Sequence, residues 1–434
     1  MTHSIFKGDT SIYMKKFFIL ILFFCLTQRV EAQFKNILLD PGSIDSLAMP
    51  VSIAINSDNE QNIVATSYDN VYHTTNGGLS WSKSKFVSRP RVMADPELTV
   101  DSKGNFYYLY VDTPETEGSF DNIRIHQSND EGDTWGESDF VEVDILKDQR
   151  HEQAVVDGKG NLYASWTQFD SYGSERQDCQ SGIFFSKSSN GKRWSKTTPI
   201  SQTSGDCRKN MMNASMPAVT SDGAKVFVAW SRMGKIFFDR SFDEGKTWLT
   251  NDLTIAERPG SWPLEIPGIK QYSGMPVLVC DNVKKGRLNG ALYLVWADQR
   301  NGVDDTDIWF MRSMNFGDSW TPPLRINNDA KGKHQFLPWI TVDSATGIIY
   351  IAYSDRRDYG DQQTDIYVAY STDGGSNFKN VKISEKPFSA SSYFAGSNIS
   401  ASNGIITPIW TSSENGRTSV WTAVIKHEEL EKSK

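Results

Sequence analysis

Arginine, histidine, tyrosine and carboxylate side chains recur at comparable places along the 434-residue chain, some just ahead of short apolar stretches and some just behind others. Ahead lie Arg89-Pro90-Arg91 with Asp95, Arg150-His151-Glu152, Asn213, Tyr272, His334-Gln335 and Tyr393. Behind lie Asp170 with Tyr172, Arg232, Asp298 with Arg300, and Asp355 with Arg357. Guanidinium groups grip carboxylate or sulfate in a bidentate fashion. Arg91, Arg150, Arg300 and Arg357, with His334 and Gln335, are therefore candidate contacts to an anionic ligand. Imidazole, phenol and carboxyl groups beside such a ligand can move protons, which makes Asp95, His151, Glu152, Tyr272 and Tyr393 the candidates for catalysis. A structural reading stands next to each: Asp298/Arg300 and Asp355/Arg357 as internal ion pairs pinning their loops, His151 and His334 as hydrogen-bonded residues without chemistry. No His/Cys pair has metal-ligand spacing, and Asp304-Asp305-Thr306-Asp307 lacks the rest of a calcium loop. With no phosphate-cradling glycine loop and no Gly-x-Ser-x-Gly elbow, no metal and no cofactor is expected.

The elements that must carry these residues show in a repeat. Ser241-Phe242-Asp243-Glu244-Gly245-Lys246-Thr247-Trp248 has the form Ser/Thr, any residue, Asp/Asn, any residue, Gly, two residues, aromatic. It returns from residues 74, 128, 313 and 371, and from 188 with one residue deleted. Asp/Asn and Ser/Thr side chains bond a turn's own backbone, and glycine takes the left-handed conformation. Apolar alternation such as Ile236-Phe237-Phe238 precedes each copy, so the pattern reads as a hairpin tip after a strand. Around it lies a larger unit: a strand often led by proline (Met216-Pro217, Met275-Pro276, Leu337-Pro338), a strand ending near an acid, the strand before the tip, and a fourth strand. Four antiparallel strands make one blade, and a fixed period argues for one closed array.

The eight-residue pattern resembles the Asp-box, or BNR repeat, of the sialidase-superfamily β-propellers. The resemblance covers residues 34–426. It implies an all-β chain, a single propeller of four-stranded antiparallel blades. Counting inner strands near 49, 94, 151, 216, 275, 337 and 395 favours seven blades, with six as the alternative. The last unit lacks a fourth strand, and the mature N-terminal stretch 34–40 resembles one, so that strand is expected to close the ring. The repeated tips then lie on the face opposite the entrance, which removes their acids from the candidate site. For activity, the resemblance implies sialidase-like exo-glycosidase hydrolysis of an anionic glycan: an arginine clamp drawn from Arg150 and Arg300, Tyr272 or Tyr393 as nucleophile, Glu152 and Asp95 as base and acid. The alternatives are a glycan- or protein-binding propeller without turnover and a uronic-acid polysaccharide lyase using His151, His334, Tyr272 and Arg150.

Residues 14–33 have a basic start at Lys15 and Lys16, an apolar run and a Val30-Glu31-Ala32 ending, the form of a secretory signal peptide cleaved after Ala32, with Met14 as the expected true start. The expected organisation is thus 1–32 extension and signal, 33–426 propeller, 427–434 charged tail, in a secreted or periplasmic monomer without a membrane span. Export permits disulfides, and Cys179 and Cys207, on neighbouring loops of one face, are expected to pair. A net charge of −8 with no basic run argues against a nucleic-acid partner.

Overall fold

The computed structural model describes residues 34–433 except 43–49, 69, 86–91, 113–121, 142, 210, 261–262, 270–271, 273, 285, 390–395 and 415, and gives no side-chain description for 85 and 92–95. Five separate four-stranded antiparallel sheets follow one another along the chain, their first strands being Val51–Ile55, Val92–Val100, Asp148–Val156, Asn213–Val219 and Val277–Cys280. The remainder forms one ten-stranded sheet. In it Gln335–Val342, Ile349–Asp355, Gln363–Ser371 and Lys379–Lys382 pair in succession, Ser397–Ser402 pairs with Ile405–Glu414, and the short strand Phe388–Ser389 bridges the two groups. The expected count of seven or six separate blades is therefore corrected to five blades and one larger sheet, because that bridge joins what would otherwise be two sheets. The first strands touch each other around a closed circuit, from Val51–Ile55 through Gln335–Val342 and Ser397–Ser402 back to Val51–Ile55.

Second strands such as Phe106–Asp112, Leu292–Asp298 and Ile349–Asp355 are buried at every position, since neighbouring sheets cover both faces. This is why they read as nearly unbroken apolar runs rather than as alternation. The repeated tips then hold sheet to sheet. At the fourth blade, Ser241 Oγ donates to Asp243 Oδ1 at 2.7 Å, Gly245 N donates to Ser241 Oγ at 2.8 Å, and Thr247 N donates to Asp243 Oδ1 at 2.8 Å. Gly245 has φ +84° and lies flat on Phe185 of the third blade, with Trp248 edge-on to the same ring at 5.0 Å. The same arrangement sets Gly317 and Trp320 on Phe238, and Gly375 and Phe378 on Phe310. Each tip thus clamps the blade before its own.

The strand Ile37–Asp40 pairs antiparallel with Arg417–Thr422 at the far end of the chain. Phe34 is buried beside Tyr350, Ile366 and Ile383, while Asn36 and Glu385 exchange two hydrogen bonds of 2.7 Å. Asp40 accepts from Tyr72 Oη and Lys83 Nζ of the first blade, each at 2.5 Å. Residues His427–Lys432, read from sequence as part of a charged tail, form a short helix whose Leu430 is buried in the same cluster as Phe34. No helix of the described residues is long and apolar enough to cross a membrane.

Candidate functional site

The entrance ends of the first strands are not regular. Pairing slips between Val92 and Glu97, Arg150 and Gln153, Asn213 and Met216, and Phe336 and Trp339, so four first strands carry a bulge at about the same height. His151, Ala214 and Leu337 sit in three of these bulges with φ of 54°, 58° and 56°, a conformation costly for non-glycine residues, and Gly274 takes φ +63° just ahead of the fifth blade's strand. A bulge adds one residue to one strand and re-aims its neighbours. Here the bulges surround a central cavity of about 440 Å³.

Its wall is largely apolar, with Met211, Met216, Ile269, Met275, Leu337 and Trp339. Into this wall are set Glu97, His151, Gln153, Tyr172 and Tyr272, with Arg208 alongside. Glu97 has part of its surface open to the cavity but is otherwise surrounded by protein. That burial pushes its carboxyl up to about 8, against the smaller opposing effect of a hydrogen bond with Ser52. It is therefore largely protonated at neutral pH, the state needed to give a proton away. Tyr272 accepts a 3.0 Å bond from Leu337 N at its Oη, and burial raises its phenol above the ordinary value.

The structure brings together only some of the residues picked from sequence. His151 and Tyr272 line the cavity, and Arg150 lies beside it, its guanidinium 5.0 Å from the centre of the Tyr172 ring. Asp95 belongs to the bulged strand Val92–Val100, its side chain outside the described residues, as are Arg91 and Tyr393 altogether. Five other candidates lie apart from the cavity lining. Glu152 is fully buried, and its Oε1 accepts from Val111 N of the second blade at 2.9 Å, on the side of the strand away from His151, which lines the cavity. Gln335 is fully buried too, bonded to Asn327, Asp329 and Asp355. Arg300 is held by both oxygens of Asp298, Nε to Oδ1 at 2.9 Å and Nη2 to Oδ2 at 2.6 Å, and Arg357 by Asp355 at 2.9 and 2.6 Å. For both arginines the loop-pinning reading is the one their geometry matches. His334 lies outside the cavity lining, with Nδ1 3.0 Å from Thr306 Oγ1, and burial with the nearby Arg356 cation lowers its pKa. The two histidines therefore do not converge. Cys179 and Cys207 sulfurs are 2.07 Å apart, joining loops of the third blade near the cavity residues Tyr172 and Met211.

Sequence reasoning passed over Glu97. The stretch Asp95-Pro96-Glu97-Leu98-Thr99-Val100 sets an acid among strand-forming residues just after a proline, and that was the signal available.

No protein-family model matches the chain, and no curated protein sequence matches it. Solved structures do. The alpha-L-arabinofuranosidase of Fusarium graminearum, solved with arabinobiose, superposes with a TM-score of 0.52 at 12% identity, over 92% of this chain and 99% of that one. The NanB sialidase of Streptococcus pneumoniae gives 0.50 at 10% identity, over 85% and 84%. The fold is a sialidase-like β-propeller. At such identities the likeness is one of architecture, and within this propeller the central cavity holds the described residues best placed for chemistry.

Proposed function

We propose that this propeller acts on a glycan as a hydrolase, with the sugar in the central cavity and Glu97 as general acid. The observation that carries the reading is a carboxyl kept protonated near neutral pH in a largely apolar cavity open to ligand. Protonating a glycosidic oxygen as the bond to the anomeric carbon breaks requires such a group, and burial is how enzymes prepare it. Trp339 and Tyr172 offer flat faces for a sugar ring. The partner that activates water, or attacks directly, is sought in Asp95, from the same bulged strand as Glu97; inverting and retaining schemes both pair an acid with a second carboxylate. A Tyr272 nucleophile of the sialidase kind is less favoured, since its raised pKa opposes the phenolate. The finer reading of the repeated tips as Asp-boxes, of the chain as exported with cleavage after Ala32, and of a monomer facing an anionic glycan belongs to the same proposal.

The test is incubation of residues 33–434 with arabinan, aryl arabinofuranosides, sialosides and uronic-acid polysaccharides, scored by released reducing sugar and by absorbance from new double bonds. Sugar release that drops about 100-fold or more in Glu97→Gln supports the reading. Saturable binding without release from any substrate would replace it with a binding propeller, and new absorbance would replace it with elimination chemistry.

A further inference from the structure

Beside the central cavity, and sharing Met211 with it, a second cavity of about 190 Å³ opens at the entrance end of the fourth blade. Asn213 and Ser231, opposite each other on paired strands, line it with Arg232, Lys209 and Arg258. Asn213 and Arg258 are only 2% and 3% exposed. Yet neither polar atom of the Asn213 amide has a hydrogen-bond partner, and the same holds for Nε and Nη1 of Arg258 and for Nε of Arg232. Buried polar atoms are nearly always bonded, and a buried cation without a counter-charge is costly to keep. Among the described residues no carboxylate lines this cavity, although Asp252 acts electrostatically on Arg232 from nearby. Asp298, the carboxylate that acts on Arg258 electrostatically, has both oxygens taken by Arg300.

The unsatisfied groups are also held in place. Arg258 N donates to Gly234 O at 2.7 Å, fixing the start of the segment that leads to the fifth blade. Gly234 and Met233 take φ of 70° and 50° in the tight turn between Arg232 and Lys235, and Arg232 Nη1 donates to Thr203 Oγ1 at 2.8 Å. Three cationic side chains and one amide are thus arranged around a space of roughly six water volumes, too small for a chain of sugars and suited to one charged substituent.

We propose that this cavity binds a single oxyanion group, a carboxylate, sulfate or phosphoryl, gripped by Arg258 and Arg232, with the Asn213 amide donating beside them and Lys209 adding positive charge. The anion supplies the acceptors that the buried guanidinium and amide lack. The proposal stands whether or not the central cavity turns over a glycan, because none of these four residues has been given a part there.

Thermal unfolding of residues 33–434 tests it, with sodium sulfate, phosphate and acetate titrated against sodium chloride at equal ionic strength. One of the three anions should raise Tm saturably, by about 3 °C at a hundred-fold excess over its Kd, and the one saturating at the lowest concentration identifies the group. Arg258→Met should unfold at a higher temperature than wild type without added anion, since a buried unpaired charge is gone, and should lose the saturable rise. An equal rise in Arg258→Met, the mark of a general salt effect on exposed surface, would overturn the proposal, as would a wild type that no anion shifts. Should Arg258→Met not fold, Arg232→Gln takes its place: the titration midpoint is expected to climb at least ten-fold, and an unchanged midpoint would refute the site.

Discussion

Glu97 is the residue whose protonation the proposed chemistry needs, and its pKa makes that need measurable. The folded chain holds this proton up to about 8, whereas the unfolded chain releases it near 4.5. The native state therefore binds more protons between those values, and stability falls as pH rises across the window, by at most about 1.4 kcal/mol per pH unit. Below 4.5 the contribution is whole; above about 8 it is gone. Glu97→Gln removes the dependence, so the variant should match wild type in Tm near pH 4.5 and exceed it at pH 9. A constant difference across that range would contradict the assignment. The rate, if the group is the acid, should decline as pH passes about 8, because only the protonated carboxyl donates. Asp243 titrates the other way: bonds from Thr247 and Ser241 hold its carboxyl well below the ordinary range. Its part in stability is present above pH 4 and is lost on acidification, and Asp243→Ala should cost about 1–2 kcal/mol by urea unfolding at pH 7.

At the scale of elements, the tips and the bulges do opposite jobs with similar backbone. The glycine of each tip lies in the left-handed region, where a side chain is strained, and it also packs closely on the preceding blade: a Cβ on Gly245 would come within 2.4 Å of Phe185. Gly245→Ala should therefore destabilise by about 2–3 kcal/mol, from backbone strain and overpacking together, a loss visible in the urea midpoint. The tips were legible in the sequence because their bonds are local and their spacing is rigid. The bulges were not: His151, Ala214 and Leu337 share a conformation but no residue type, so nothing in the letters marks the register slip. Beside such a slip only one of two neighbours faces the cavity, as His151 does and Glu152 does not, whereas Gln335 precedes the slip in its strand and is buried with neither neighbour in the lining. Glu97 escaped for a related reason, as a carboxylate in a strand reads alike whether it faces water or a cavity.

At the scale of the molecule, closure of the ring by Ile37–Asp40 was readable from its likeness to other fourth strands, while fusion of the last strands through Phe388–Ser389 was not, a two-residue bridge having no periodicity to read. The closing strand matters energetically. Phe34→Ala should cost about 3–4 kcal/mol, and deleting residues 33–40 should lower Tm further and blunt the cooperativity of unfolding, because Tyr72 and Lys83 lose Asp40 as well as the strand losing its ladder. An unchanged transition in the deletion would mean that the sheet does not depend on this pairing.

Pairing the first strand with nearly the last also sets an order of events in time. Asn36 meets Glu385, 349 positions away, so a chain emerging from a ribosome or a translocation pore must hold its opening segment unsatisfied until the final sheet arrives. Contacts of that sequence separation are slow to form and expose strand edges meanwhile. Refolding should accordingly end in a slow concentration-independent phase that disappears in a circular permutant joining the native ends and opening the chain at the exposed Gly332.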